Sequence, residues 1–177
     1  MRKIILFIAM SLDGFIADSM GGVSWLSGEN PEENDMQSYE TFIETVDTVI
    51  MGGKTYRQLT TELFPEEWVY SNLMTYVITT KKQETLNYRI QFKNMSPSAL
   101  IKQLKKENGK DIWICGGASI INQIIKMDEI DRYHINVIPT ILGDGIRLFE
   151  QLPKQQKLHL LQTKSYNGIT DLVYERR

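Results

Sequence analysis

Apolar residues along this chain fall into short unbroken runs and into stretches spaced three and four apart. Ile4 to Met10 is a nearly continuous apolar run, the pattern of a strand covered on both faces. Asp13-Gly14 then turns the chain, and Gly21-Gly22 and Ser27-Gly28-Glu29-Asn30-Pro31 prolong a loop toward Glu32. Met36 to Glu44 has helical spacing, with Met36, Tyr39, Phe42 and Ile43 expected to face inward. Thr45 to Met51 is the next strand, ended by Gly52-Gly53, and Lys54 to Leu59 reads as a short helix. Leu73 to Thr80 is a strand and Tyr88 to Phe92 a weaker one. Ser96 is placed to cap a helix that opens at Pro97 and stops near Asn108-Gly109. Asp111 to Cys115 is a strand, Gly116-Gly117 a turn, Ala118 to Met127 a helix and Arg132 to Pro139 a further strand. After a loop at Leu142-Gly143-Asp144-Gly145, Lys157 to Tyr166 and Ile169 to Glu175 form a hairpin about Asn167-Gly168.

Alternating strands and helices followed by a hairpin predict an α/β three-layer sandwich. Its central sheet is mainly parallel, with a C-terminal antiparallel hairpin. No repeat, low-complexity segment or linker interrupts the 177 residues, so residues 1–177 are expected to form one domain. A net charge of -2 gives no global attraction to nucleic acid or to an anionic membrane, so neither is expected as a partner. The start, Met1-Arg2-Lys3 before Ile4 to Met10, imitates a leader, but the apolar run is short and reads better as a buried strand. A cytoplasmic location is expected. Cys115 is the only cysteine, which excludes an internal disulfide, and its apolar surroundings suit a buried hydrophobe. His134 and His159 lie far apart without a Cys/His cluster, so no metal site is expected.

Two segments share one grammar: apolar strand, glycine pair, helix. They are Val49-Ile50-Met51-Gly52-Gly53-Lys54-Thr55-Tyr56 and Ile112-Trp113-Ile114-Cys115-Gly116-Gly117-Ala118-Ser119-Ile120-Ile121. Glycine lets a ligand approach the backbone, and the helix that follows offers free N–H groups and a positive dipole end. Two such turns suit the two phosphates of a dinucleotide; two tight turns with no ligand would show the same pattern. Thr79-Thr80-Lys81-Lys82 ends a third strand with hydroxyls and ammonium groups that suit a phosphate monoester, such as the 2′-phosphate of NADPH. The six-position glycine fingerprint of Rossmann folds is absent, as is a Walker loop.

Taken in order, five segments resemble the dihydrofolate reductase superfamily, most closely the reductase domain of bifunctional riboflavin-biosynthesis enzymes. They are Ala9 to Ala17, Val49 to Tyr56, Gly116 to Ser119, Pro139 to Gly145 and Leu172 to Arg177. The resemblance spans essentially the whole chain and implies an NADPH-dependent reductase of a small heterocyclic or ribityl-type substrate. It implies a nicotinamide beside Ala9 and Ile16. Ribose and pyrophosphate would lie against Gly53, Lys54 and Thr55 on one side and Cys115, Gly116, Gly117, Ala118, Ser119, Ile120 and Ile121 on the other. Thr79, Thr80 and Lys81 would take the 2′-phosphate, and Trp25, Tyr39 and Phe42 would line a small-molecule substrate. A homodimer is compatible with the family. Asp13 is expected to orient the first loop or the carboxamide, Asp35 to supply a proton, and Asn136 to hold a water.

Two departures narrow the substrate. The carboxylate that dihydrofolate reductases carry on the early helix falls near Met36 here; Asp35 and Glu40 flank that register without filling it. Asp35 also reads as a helix-start carboxylate favoured by the dipole, and Trp25, Tyr39 and Phe42 also read as core. Between Asp13 and Tyr39 there is no Arg or Lys to grip a ribose phosphate. A dihydrofolate or dihydropterin reductase, and a non-catalytic NADPH-binding sensor, remain alternatives.

Overall fold

The computed structural model describes residues 1–177. In chain order its elements are β1 (Ile4–Ser11), β2 (Phe15–Ala17), α1 (Gln37–Ile43), β3 (Val46–Gly52), α2 (Gly53–Gln58) and a π-helical turn (Leu59–Leu63). Then come β4 (Met74–Ile78), β5 (Ile90–Lys93), α3 (Pro97–Leu104), β6 (Asp111–Gly116) and α4 (Ala118–Lys126). The chain ends with β7 (Arg132–Ile138), β8 (Ile146–Arg147), β9 (Leu158–Tyr166) and β10 (Ile169–Arg176). Eight strands form one sheet in the order β5-β4-β3-β6-β1-β7-β10-β9. All neighbours from β5 to β7 are parallel, and the β9–β10 hairpin adds antiparallel strands at one edge.

Helices cover both faces, which is why β1 is apolar at successive positions. Ile4 and Leu6 join one core with Leu100, Leu104, Ile121 and Ile124 from α3 and α4. Ile5 and Phe7 join the other with Phe42 of α1 and Leu59 beyond α2. Each face thus removes a full row of branched side chains from water, at roughly 1.5–3 kcal/mol per fully buried side chain.

Several boundaries differ from the sequence expectation, each for a physical reason. α3 ends at Leu104, not near Asn108, because Lys105-Lys106-Glu107-Asn108 offers no apolar residue to bury. In α1 the buried positions are Ser38 and Phe42, and Met36 is 50% exposed as the N-cap. Tyr39, Phe42 and Ile43 pack on the core as expected, so the inward face differs from the expected set in losing Met36 and gaining Ser38. The strands β2 and β8, read as loop in the sequence, pair with each other and fasten the first loop to the segment before Leu148.

Candidate functional site

The sheet splits at its C-terminal end. The β1–β6 ladder stops at Leu6 and Ile114, whereas β1 remains paired with β7 as far as Ser11. Trp113 Nε1 donates to the Phe7 carbonyl just past the end of that ladder, at 2.9 Å. The chain also changes face here. Crossovers through α1 and α2 pack on the Phe7 side, while those through α3 and α4 pack on the Leu6 side. A crevice outside the carboxyl ends of strands, where crossover direction reverses, is the common ligand position in open α/β sheets.

Both glycine turns border this split. β3 and β6 are neighbours with Met51 opposite Gly116, so the two strand ends lie side by side. A Cβ on Gly117 would lie 3.2 Å from Thr55 Oγ1, and one on Gly52 would lie 3.2 Å from Ile120 Cγ1. A Cβ on Gly53 would come within 3.1 Å of Thr79 Oγ1 at the end of β4. Gly116 has φ +139°, a conformation that side chains disfavour, and its peptide to Gly117 is cis. The structure thus brings Gly53, Thr55, Thr79, Gly116, Gly117 and Ile120 together. Lys54, Thr80 and Lys81 are exposed at the rim. Ala118 and Ser119 form the first turn of α4, and Ile121 is buried beneath it.

Of the four helices, only α3 has a side-chain cap. Ser96 Oγ accepts from the Ala99 N–H and caps α3. No side chain caps α2 or α4, which begin at the glycine turns. Their first-turn N–H groups point out of the helix without a protein side chain to satisfy them. Glycine, small hydroxyls and uncapped N–H groups make a cradle that accepts anionic oxygens and excludes side chains. That donor set fits the pyrophosphate of a dinucleotide.

Ala9 lies on the β7 side of the split, opposite Asn136, and Ile16 is half-buried in β2. Cys115 precedes the second glycine turn. Its thiol contacts the Tyr70 hydroxyl at 3.8 Å, and burial pushes it up to about 12, so it is neutral.

The three expected catalytic groups are engaged with the protein itself. Asp13 accepts from Ser11 Oγ at 2.6 Å and from the N–H groups of Leu142 and Gly143 at 3.1 and 2.7 Å. The Ser11 hydroxyl holds its carboxyl down at about 2; desolvation opposes it, and the backbone donors of Gly143 and Leu142 add to the lowering. Asp13 therefore orients the first loop by clamping it to the 142–143 loop. Asp35 accepts from the Gly28 N–H at 2.7 Å and from Asn167 Nδ2 at 2.6 Å. Both oxygens thus join the early loop to the hairpin turn, which makes Asp35 a clamp between them. Asn136 donates from Nδ2 to Asp171, which fixes the orientation of its amide.

The expected substrate residues separate as well. Phe42 stacks on Phe7 with centroids 4.3 Å apart, and Tyr39 meets Phe7 and Trp113 edge-on at 6.0 Å each. Burial, with Cys115 nearby, pushes the Tyr39 hydroxyl up to about 12. Trp25 stays within its own loop, its indole N–H donating to the Gly22 carbonyl at 3.3 Å.

Asp171 was not foreseen. It is 2% exposed on β10 and accepts from Ser38 Oγ of α1, Asn136 Nδ2 of β7 and the Tyr166 hydroxyl of β9. His134 Nε2 lies 3.8 Å away. Burial pushes this carboxyl up, but donors from His134, Ser38 and Asn136 outweigh it and hold the group below its ordinary value. One local signal existed: Asp171 follows Ile169 by two positions in a strand, which puts a carboxylate on a buried face.

The RibD C-terminal domain model matches residues 2–174. YwjB of Bacillus subtilis (strain 168) is 41% identical over 177 residues, covering 99% of this chain and 98% of its own. A protein from Shewanella sp. PV-4, assigned provisionally to riboflavin biosynthesis by its name, superposes with a TM-score of 0.86 at 28% identity and covers 99% of both chains. The deaminase/5-amino-6-(5-phosphoribosylamino)uracil reductase of Thermotoga maritima shares the fold, with a TM-score of 0.71 at 15% identity over 99% of this chain and 57% of that one. No helix here is long and apolar enough to cross a membrane. With the family model covering nearly every residue from β1 to β10, the chain belongs to the RibD C-terminal domain family.

Proposed function

We propose that the protein is an NADPH-dependent reductase of a small heterocyclic or ribityl-type substrate, akin to 5-amino-6-(5-phosphoribosylamino)uracil reductase. The observation that carries this reading is the split between β1 and β6, flanked by two glycine-led, uncapped helices. The cofactor would supply hydride. The glycine turns with Thr55 and Ser119 bind its pyrophosphate, Thr79, Thr80 and Lys81 bind the 2′-phosphate, and Ala9 and Ile16 flank the ring. Asp13 keeps the first loop closed over that position through its bonds to Leu142 and Gly143. The substrate lies on the α1 side of Ala9, where Asp171 holds Ser38 and Asn136 in fixed orientations. Positioning is the protein's main contribution.

Fluorescence titration with NADPH and NADH, followed by absorbance assays with dihydrofolate, dihydropterins and the riboflavin precursor, tests this reading. NADPH should bind more tightly than NADH, and dihydrofolate should turn over feebly. Dihydrofolate turnover near the ordinary enzymatic rate of about 10 per second would reassign the substrate. A second reading, NADPH binding without catalysis, is favoured by the engagement of both Asp35 oxygens within the protein. NADPH binding with no oxidation by any of these substrates would favour it.

A further inference from the structure

Hydride reaching a C=O carbon leaves negative charge on the oxygen, and a positioned acid speeds the step by giving that oxygen a proton. The carboxyls of Asp13 and Asp171 are held below their ordinary values, so both are ionised near neutral pH and carry no proton to give. The α1 side of the split holds acids of another kind. Phe7 of β1 and Trp113 of β6 belong to the core that faces α1 and α2. Two positions further along each strand, Ala9 and Cys115 lie on that same face. The β1–β6 ladder ends at Leu6 and Ile114, so Ala9 and Cys115 stand on opposite banks of the split.

Two tyrosines overhang these banks. Tyr39 meets Phe7 and Trp113 edge-on, with centroids 6.0 Å away in each case, and so bridges the two strands. Tyr70, from the segment before β4, meets Trp113 at 4.9 Å. α1 descends toward the start of β3, so Tyr39, almost one turn before Phe42, sits nearer the carboxyl ends of the strands than the Phe42–Phe7 stack. The Tyr70 hydroxyl is engaged with Cys115 Sγ at 3.8 Å. The half-buried Tyr39 has no hydrogen-bond partner for its hydroxyl in the protein, and Cys115 is the ionisable group that acts on it. Burial pushes Tyr39 and Cys115 up to about 12 and raises Tyr70 as well, so all three keep their protons at neutral pH.

We infer that Tyr39 is a catalytic residue: its hydroxyl gives a proton to the substrate oxygen as hydride reaches the carbon beside Ala9. The role rests on the reductase reading and on the placement of substrate on the α1 side. The new C–H bond forms on the carbon, the π pair of the C=O bond moves to the oxygen, and the phenol O–H bond breaks to protonate it. The Tyr39 phenolate then regains a proton from water, which reaches its half-exposed ring. A phenol is acidic enough for this step because a developing alkoxide is a stronger base than a phenolate. Tyr70 and Cys115 are occupied with each other, which leaves Tyr39 as the free donor between the two banks.

The first test needs no substrate. The full chain is labelled with carbon-13 at the hydroxyl-bearing ring carbon of its 8 tyrosines, and Tyr39→Phe identifies the Tyr39 NMR signal. NADP+ should shift that signal clearly more than 2′-phospho-ADP-ribose, which is the same ligand without the nicotinamide. Binding of both ligands with equal shifts, or with none, overturns the role of Tyr39 and leaves the cofactor reading standing. The second test is single-turnover oxidation of NADPH by the riboflavin precursor and by dihydrofolate. Tyr39→Phe keeps the ring on Phe7 and Trp113, so its urea midpoint should not move. Its hydride-transfer rate should fall about 100-fold or more, the size of a lost general acid. NADPH affinity and substrate KM should each change less than about threefold, because the loss is confined to the transition state. Tyr70→Phe should slow the step less than about tenfold, since it loses only a weak bond to a thiol. A rate in Tyr39→Phe within about fivefold of the unaltered protein, too small for a general acid, overturns the inference. An equal or larger loss in Tyr70→Phe overturns it too. Failure of NADPH to bind, or of either substrate to oxidise it, removes the reductase reading and this role with it.

Discussion

The two halves of the crevice are built from different materials. On the β3–β6 side the surface is mostly main chain: Gly52, Gly53, Gly116 and Gly117, two uncapped helix ends, and the short hydroxyl side chains of Thr55 and Thr79. On the β7–β10 side it is mostly side chain: Asp171 gathers Ser38, Asn136 and Tyr166 from three other elements. The first half presents unused donors and little that can rearrange. The second half binds itself together, and Asp13 and Asp35 do the same for the loops above it. Backbone cradles suit the part of a ligand that never varies, which in the proposed cofactor is the pyrophosphate. Side-chain networks set which substrate is accepted, and a change at one member disturbs the others.

The contrast is broken most forcefully at Asp171. Asp171→Ala leaves Ser38, Asn136 and Tyr166 without their common acceptor, and should destabilise the protein by about 3 kcal/mol. Urea unfolding measures this, and NADPH affinity of the folded fraction should fall much less than stability, because the phosphate contacts proposed on the β3–β6 side are left in place. A large loss of NADPH affinity with little loss of stability would show that the halves are coupled. The acid limb offers a second readout. The folded carboxyl lies below its ordinary value of 3.8, so its stabilisation is present above that pH and is lost as pH falls below it. Asp13, held at about 2, adds a loss between 3.8 and about 2. Removing Asp171 should flatten the acid dependence of stability.

Gly117→Val attacks the other half. Gly117 has φ -81° and ψ -168°, an extended conformation open to any residue, so the backbone does not resist the change. The new Cβ would instead meet Thr55 Oγ1 at 3.2 Å and project into the cradle. NADPH affinity should fall at least about 100-fold, or ~2.7 kcal/mol, while circular dichroism stays native. Normal NADPH affinity in the folded variant would sink the cradle.

Asp35→Asn distinguishes a clamp from an acid. Weakening one of two acceptor bonds should cost about 1 kcal/mol of stability and leave turnover near normal. A fall in turnover of about 100-fold or more, the size of a lost general acid, would restore Asp35 to the chemistry.

The same contrast explains which features were legible in the sequence. The cradle is local: each glycine pair sits between its own strand and helix, so spacing alone identifies it. The parallel sheet and the hairpin were legible for the same reason, as runs and periods of adjacent residues. The Asp171 network is not local. Ser38 and Asp171 lie 133 positions apart, and Asn136 and Asp171 35 apart. No window along the chain contains them together. α1 hid the network further, because Ser38 was not among the residues expected to face inward. The Asp35 clamp is non-local too, since its partner Asn167 lies 132 positions away.

The smallest expected effect lies at the rim of the cradle, where the cofactor half becomes side-chain built. Lys81 is exposed, and its backbone N–H donates to Thr79 Oγ1 at 3.1 Å. That bond uses a lone pair of the hydroxyl and leaves its proton free, so Thr79 can donate to a phosphate while the turn holds it in place. The Lys81 ammonium adds a flexible charge in water, where such contacts are weak. Lys81→Ala should therefore narrow the preference for NADPH over NADH by about 1 kcal/mol, or roughly fivefold, chiefly by weakening NADPH. Raising the salt concentration should narrow the preference in the unaltered protein and have less effect in the variant, because an exposed charge is screened. Thr79→Ala should also narrow it, but with weak salt dependence, since it removes a neutral donor. Equal affinity of the unaltered protein for both cofactors would remove the 2′-phosphate from this turn and leave the glycine cradle to bind only what the two cofactors share.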